Sequence, residues 1–321
     1  MGMRTVLIVM GLLAAVLAIS MWSMVSMPGR SYRGALPPLT AAQQTLAAEL
    51  RADVAFLASS SRNVYEETHL AASAARIEHS FKAAGFRVRN VAGNLEVELP
   101  GTSKPEEIVV VGAHYDSIDE TPGADDNASG VASLMALARR LASFRPARTV
   151  RLVAFINEEP PHFKTTDMGS YQYARHLHER KANVVAMLSL EMLGYYSTRP
   201  GSQQYPPPLN FFYPDRGDFI AFAGNLDSRG LVRRSVASFR KHASFPSEGA
   251  ALPNAIQQIG WSDQWSFWQF GWPGIMVTDT ALFRNPHYHM PTDTPETLDY
   301  ERMALVVDGV GAVVRDLANG E

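Results

Sequence analysis

Three short, almost unbroken apolar runs constrain this chain more than any other feature: Ile108–Val111, Val150–Ile156 and Val184–Leu190. Runs of that length, rich in β-branched residues, suit strands buried on both faces. Between them lie helical patterns, Asn127–Leu141 and Ser170–Arg180. Buried strands alternating with helices predict an α/β fold, a mostly parallel central sheet with helices on both faces. Around this core the spacing predicts helices from Leu39 through Glu49 to Leu57, over His69–Ala84, over Phe219–His242 and over Tyr300–Leu317. Alternation over Phe86–Asn90 and Leu95–Leu99, with a turn at Gly93 and Asn94, predicts two half-buried strands, and Gly274–Thr278 a further strand. The connections Ser197–Asp218 and Phe245–Gly274 are long and rich in Pro, Gly and aromatics, as functional loops of compact domains often are.

The N-terminus has a different composition. Thr5–Met27 carries no charge and is bounded by Arg4 on one side and by Arg30 and Arg33 on the other. As a helix, such a run reaches the roughly 30 Å needed to span hydrocarbon. Trp22 sits near its outer end, where an amphipathic ring suits the interface. Three readings stay open: an uncleaved signal-anchor, a signal peptide whose basic start is Met1–Arg4, or a buried soluble helix. The first two export the remainder, and on them the expected organisation is a targeting or anchoring segment over 1–28, a linker over 29–40 and one extracytoplasmic catalytic domain over 41–321. The domain would be periplasmic or extracellular.

With no cysteine among 321 residues, disulfide scaffolds, thiolate metal sites and cysteine nucleophiles are excluded. Any metal must be held by imidazole and carboxylate. The net charge of −3 leaves no basic footprint, so nucleic acid is not an expected partner.

Polar residues gather where the predicted strands end, which is where open α/β sheets place their ligands. The first run leads into His114-Tyr115-Asp116-Ser117, and the second ends in Asn157-Glu158-Glu159. The third ends in Leu190-Glu191-Met192. Asp125 and Asp126 open the helix that follows the first run, and His287-Tyr288-His289 lies beyond the last strand. Singly, each has an ordinary alternative. His114 and Asp116 would make a structural pair, and one of the two adjacent aspartates would serve as a helix cap. Together they bring hard oxygen donors and imidazoles to one sheet edge. That donor set suits zinc, with manganese or cobalt as alternatives. A carboxylate bridging two ions describes a two-metal hydrolytic centre.

In order along the chain, the segments HYDS, PGADDNASG, NEE, LEM and HYHMPTDTPETLD resemble those of the dinuclear-zinc exopeptidase family. That family includes bacterial leucyl-type aminopeptidases, aminopeptidase Y and glutamate carboxypeptidase II, and the likeness covers Ala41–Leu317. It implies two Zn2+ ions, one on His114 and Glu191 and one on Glu159 and His289, with Asp126 as bridge. It implies Glu158 as general base, Asp116 as the group orienting His114, Tyr288 as an oxyanion donor, and a cis peptide after Asp126. The implied activity is an exopeptidase, an aminopeptidase first, acting on peptide substrates through a water activated between the metals. The alternatives are a non-catalytic peptidase-like ectodomain and a glutaminyl cyclase-like acyltransferase. Two departures stand out: Glu191 where the family often has aspartate, and Gln264 where it often has histidine. The insert Pro160–Met168 marks a subgroup and is expected to shape the substrate cleft. Trp261, Trp265, Phe267, Trp268 and Trp272 are candidates for cleft walls or for core packing.

Overall fold

A computed structural model describes residues 3–321; Met1 and Gly2, the start of the basic Met1–Arg4 lead, lie outside the described residues. Helix α1 (Met3–Val25) precedes α2 (Ala41–Leu57) and α3 (Glu67–Ala83). Then follow β1 (Arg89–Val91), β2 (Asn94–Leu99), β3 (Lys104–His114), α4 (Gly130–Leu141) and β4 (Arg148–Phe155). The remainder comprises α5 (Gly169–Glu179), β5 (Asn183–Glu191), β6 (Ile220–Asn225), α6 (Arg229–His242), β7 (Ser247–Leu252), the short α7 (Gln264–Trp268), β8 (Gly274–Thr278) and α8 (Tyr300–Asn319).

One eight-stranded sheet, ordered β1-β2-β4-β3-β5-β8-β6-β7, organises the domain. Its centre, β4-β3-β5-β8, is parallel throughout, with Val111 level with Leu152 on one side and Leu188 on the other. Strands β1 and β2 add antiparallel, and β6 meets β8 antiparallel while running parallel to β7. Alternation along β3 divides the core: Val109 and Val111 join the large cluster that includes α2, α4 and α8. Ile108 and Val110 join the smaller one with Tyr173 of α5 and Phe267 of α7 on the other face. Burial on both faces is why these strands carry no polar alternation. Local chemistry sets the helix starts. Thr40 and Gln43 form a capping box on α2, and Asp299 caps α8 by accepting from the Arg302 amide.

Four expectations are corrected. Phe219–His242 is not one helix: Ile220–Asn225 is strand β6, and α6 begins only at Arg229. A short apolar run rich in Ala and Gly carries too little periodicity to separate strand from helix. The Phe245–Gly274 connection contains β7 and α7. The first half-buried strand is confined to Arg89–Val91, leaving Phe86–Val88 outside it. Helix α4 starts at Gly130 rather than Asn127, because Asp126 (φ −103°, ψ 92°) and Asn127 (φ −130°, ψ 39°) are not helical.

Over Thr5–Val25, α1 is long and apolar enough to cross a membrane. The following segment is laid against the domain, with Ser31 Oγ accepting a hydrogen bond from the Ser247 amide at 2.9 Å.

Candidate metal centre

At the C-terminal edge of the parallel strands the chain delivers its polar residues to one place. His114 is the last residue of β3 and Glu191 the last of β5, while Glu158 and Glu159 follow the end of β4. Asp126 enters from the turn before α4, and His289 from the loop beyond β8. Two groups form. In the first, His114 Nε2 lies 3.3 Å from Asp126 Oδ1 and 3.3 Å from Glu191 Oε2. In the second, His289 Nε2 lies 3.1 Å from Asp126 Oδ2 and 3.6 Å from Glu159 Oε1. Within each group the donor atoms are all within 4.8 Å of one another, a spacing that could hold a metal ion. Asp126 belongs to both and turns a different oxygen to each. The Asp126–Asn127 peptide is cis.

These groups are buried apart from the half-buried His289, and their electrostatics favour a cation. Burial pushes the Glu158 carboxyl well above the usual carboxylate range, and the charges of Glu159 and Glu191 add to this against His114. Glu159 is pushed up to about 8 by burial and by Asp126. For Asp126 burial acts in the same sense, but the adjacent imidazoles of His114 and His289 outweigh it and hold the group below the usual range. Burial alone would lower the His114 imidazole, yet Glu191 and Glu158 hold it well above its ordinary value. Among the described residues Asp126 Oδ1 and Glu159 Oε1 have no hydrogen-bond partner. A buried polar atom left in that state costs about 1–3 kcal/mol, so the donor set fits a bound metal.

A surrounding layer fixes the donors. Asp116 accepts from the amides of Glu158 (3.1 Å) and Glu159 (3.0 Å), and its Oδ1 lies 3.4 Å from His114 Nδ1. Asn127 Nδ2 donates to the Leu190 carbonyl (2.8 Å), and its Oδ1 accepts from the Met192 amide (3.1 Å), tying the turn to the end of β5. Ser262 Oγ donates to Glu191 Oε2 at 2.6 Å, which steadies the longer side chain at this position. Gln264 donates to the Ile259 carbonyl instead of reaching the centre. Tyr288 is half-buried and stacks on His289, with ring centroids 3.8 Å apart.

Three contributors carried little or no sequence signal. Asp293 accepts from the amides of Asp125 (2.9 Å) and Asp126 (3.1 Å) and so holds the turn from across the mouth. Arg62 is fully buried and donates to the carbonyls of Tyr115 (2.9 Å), Gly123 (2.7 Å) and Pro122, bracing the segments that carry Asp116 and Asp126. Asp125, for which capping was one reading, caps nothing. It accepts from the Gly194 amide and from Asn285 Nδ2, both at 2.8 Å.

Beside the metal groups an apolar cavity of about 120 Å³ is lined by Glu191, Tyr288, Leu209, Leu252, Ile259 and Trp261 among others. Trp261 therefore faces a cavity, whereas Phe267 is core and Trp268 donates its Nε1–H to the Gly274 carbonyl. Trp272 packs with Phe267, and Trp265 lies beside Tyr171. The insert Pro160–Met168 opens with a turn directly after Glu159, the His162 amide donating to the Glu159 carbonyl at 3.0 Å.

The profile of peptidase family M28 matches residues 94–314, well over half of the chain. The chain belongs to peptidase family M28. This M28 peptidase is 42% identical over 253 residues to the uncharacterised protein YfbL of Escherichia coli, covering 74% of this chain and 77% of that one. It is 27% identical over 249 residues to aminopeptidase YwaD of Bacillus subtilis, covering 76% of this chain and 48% of YwaD. The M28 chain thus spans about half the length of that relative. The fold is shared with LapB from Legionella pneumophila at a TM-score of 0.68 and 20% identity, covering 92% of this chain and 79% of LapB.

Proposed function

We propose that this M28 peptidase is a zinc-dependent aminopeptidase that uses two metal ions. One observation carries the reading: Asp126 presents opposite oxygens to two separate groups, each completed by one histidine and one glutamate. His114 and Glu191 would hold one ion, Glu159 and His289 the other, and Asp126 would bridge. Zinc bound there polarises a carbonyl and lowers the pKa of water to about 7.

The chain's own residues supply the rest. Glu158 belongs to neither group, and its Oε2 lies 3.9 Å from His114 Nε2, beside the first group. Its raised proton affinity suits a general base that takes a proton from water and gives it to the leaving amine. Asp116 orients His114 and, through two amides, fixes where Glu158 and Glu159 point. Burial raises the Tyr288 phenol, which therefore stays protonated and able to donate to an oxyanion. The apolar cavity receives the side chain of the terminal residue, favouring large apolar ones. A cavity of roughly 150 Å³ accepts benzene, so about 120 Å³ suits one apolar side chain of leucine size. The relation to aminopeptidase YwaD supports cleavage at the amino end. The apolar helix α1 supports an anchored or exported enzyme with its catalytic domain outside the cytoplasm.

The decisive experiment pairs metal analysis with a panel of aminoacyl-nitroanilides and blocked dipeptides, with and without chelator. Two zinc ions per chain, turnover of unblocked leucyl-type substrates and loss of turnover on chelation are expected. One ion would favour a glutaminyl cyclase, no ion a non-catalytic ectodomain, and full turnover after exhaustive metal removal would end the metal-dependent reading.

A further inference from the structure

The route by which α1 joins the domain fixes how the domain meets a membrane. Ser31 is bonded to the first residue of β7, Met27 lies against Gly249 in its middle, and Met24 and Val25 pack against the apolar cluster that holds Leu252 at its end. Read backwards from Ser31, the chain therefore runs the length of β7 and leaves past its C-terminal end. Because β6 and β7 run opposite to β8, with Thr278 at the end of β8 opposite Ala221 near the start of β6, that exit lies on the edge of the sheet away from the catalytic mouth. The attachment is not a loose tether. Arg229 Nε donates to the Ser23 carbonyl at 2.7 Å, Arg233 donates to the Ser26 carbonyl, and Arg240 Nη1 donates to the Pro28 carbonyl at 3.1 Å.

At this edge the domain exposes side chains that water does not favour. The turn at Leu209–Phe212 belongs through Leu209 to the apolar cluster that Met24 and Val25 pack against, and Leu209 also lines the cavity that reaches Glu191 and Tyr288. The tip of the turn leaves Phe211 81% and Phe212 40% exposed, and Trp22 at the end of α1 is 65% exposed. Phe212 and Trp22 line one and the same cleft. Aromatic rings and arginines clustered at the end of an apolar helix are the side chains that settle at a bilayer interface. Continuity with α1 names the occupant.

We infer that the Leu209–Phe212 turn rests in the headgroup region of the bilayer that α1 enters, so that the catalytic mouth faces away from the membrane, toward soluble peptides. This rests on the reading of α1 as a retained membrane span. It would make the anchor part of the domain's structure, with the last turn of α1 and the chain to Ser31 acting as a fixed bracket.

The absence of native cysteine allows single labels on the full-length chain. Leu12→Cys, Phe211→Cys and Asp119→Cys, all exposed positions, would each carry an environment-sensitive fluorophore in phosphatidylcholine–phosphatidylglycerol vesicles. The label at 211 should lose most of its emission to headgroup nitroxide lipids and little to aqueous iodide. The label at 119, on the mouth, should respond to iodide alone, and the label at 12 to nitroxide deep in the acyl chains. A 211 label quenched only by iodide while the label at 12 reports the acyl region would overturn the membrane-resting surface and leave the anchor intact. Lipid quenching at 119 would overturn the orientation. Loss of residue 12 from the mature chain, or its label in water, would overturn the anchor and this surface with it.

Discussion

The two halves of the candidate metal centre are built from the same residue types but not in the same way. In the first, His114 and Glu191 end adjacent parallel strands, and their side chains are 1% and 7% exposed. In the second, Glu159 follows a strand, but His289 hangs on a loop and its side chain is 30% exposed. The first half also receives a direct hydrogen bond from Ser262, whereas His289 is steadied by a stacked ring, Tyr288. Strand ends position a donor through the whole sheet, whereas a loop positions it only through local contacts. The first half is thus the more rigidly held of the two, and the second the more exposed.

The largest effect should come from the residue the halves share. Asp126→Asn is expected to abolish measurable turnover and to lower the affinity of both ions, measured by metal analysis of the dialysed protein. If it empties only one, Asp126 does not bridge. Next is the residue assigned to neither half. Glu158→Gln should keep both ions and lose about 10²–10⁴-fold in rate, the usual magnitude for a lost general base. Glu159→Gln should instead weaken the ion of the second half. Should the two substitutions exchange phenotypes, the roles along Glu158-Glu159 are reversed.

Smaller and one-sided is the effect of removing a supporting hydroxyl. Ser262→Ala should lower the metal affinity of the first half by about 10–100-fold, as loss of a ligand-orienting partner typically does, and leave the second unchanged. Equal weakening of both ions would erase the distinction drawn between them. Competition titration with a chromophoric chelator reads this directly.

The smallest effect is on stability. In the metal-free chain Glu159 titrates near 8, and Asp293 and Asp263 near 7, raised first of all by burial in each case. Their unfolded values lie near 4, so the folded chain binds the extra protons. The stability these groups contribute is present in full below about pH 4 and is lost as pH rises through about 7–8. His114 and His289, both raised, act in the same direction. With zinc present the slope should reverse, because metal binding requires the ligands to lose their protons. Unfolding midpoints of the full chain in detergent, taken at about pH 5 and about pH 8 with zinc or with chelator, test both signs. A metal-free midpoint that rises with pH would show that these carboxyls are not held as the geometry indicates.

How much of this could be read in advance differs from residue to residue. The central strands were legible because burial on both faces leaves an unbroken apolar run at Ile108–Val111 and Val184–Leu190. Strands β6 and β7, the last two on one side of the sheet, were not. Ile220–Asn225 and Ser247–Leu252 are rich in Ala, Gly and Ser, and their strand character comes from pairing with each other and with β8. The positions that converge on the candidate centre were legible because each stands at a strand end or in a compact polar motif. Arg62 left no trace, since its role is to satisfy carbonyls supplied by Tyr115, Pro122 and Gly123, distant in sequence.

By itself the sequence determined the α/β class, the absence of sulfur chemistry, the apolar helix at the N-terminus and the set of imidazoles and carboxylates gathered at the strand ends. These follow from composition and local periodicity, which need no partner to be expressed. Only the tertiary structure decided that Asp126 turns one oxygen to each histidine, that Asp116 spends its carboxylate on two backbone amides, and that the chain after α1 is pinned along β7. Each of these depends on the register and direction of strands far apart in the chain, and long-range pairing is what local sequence patterns do not encode.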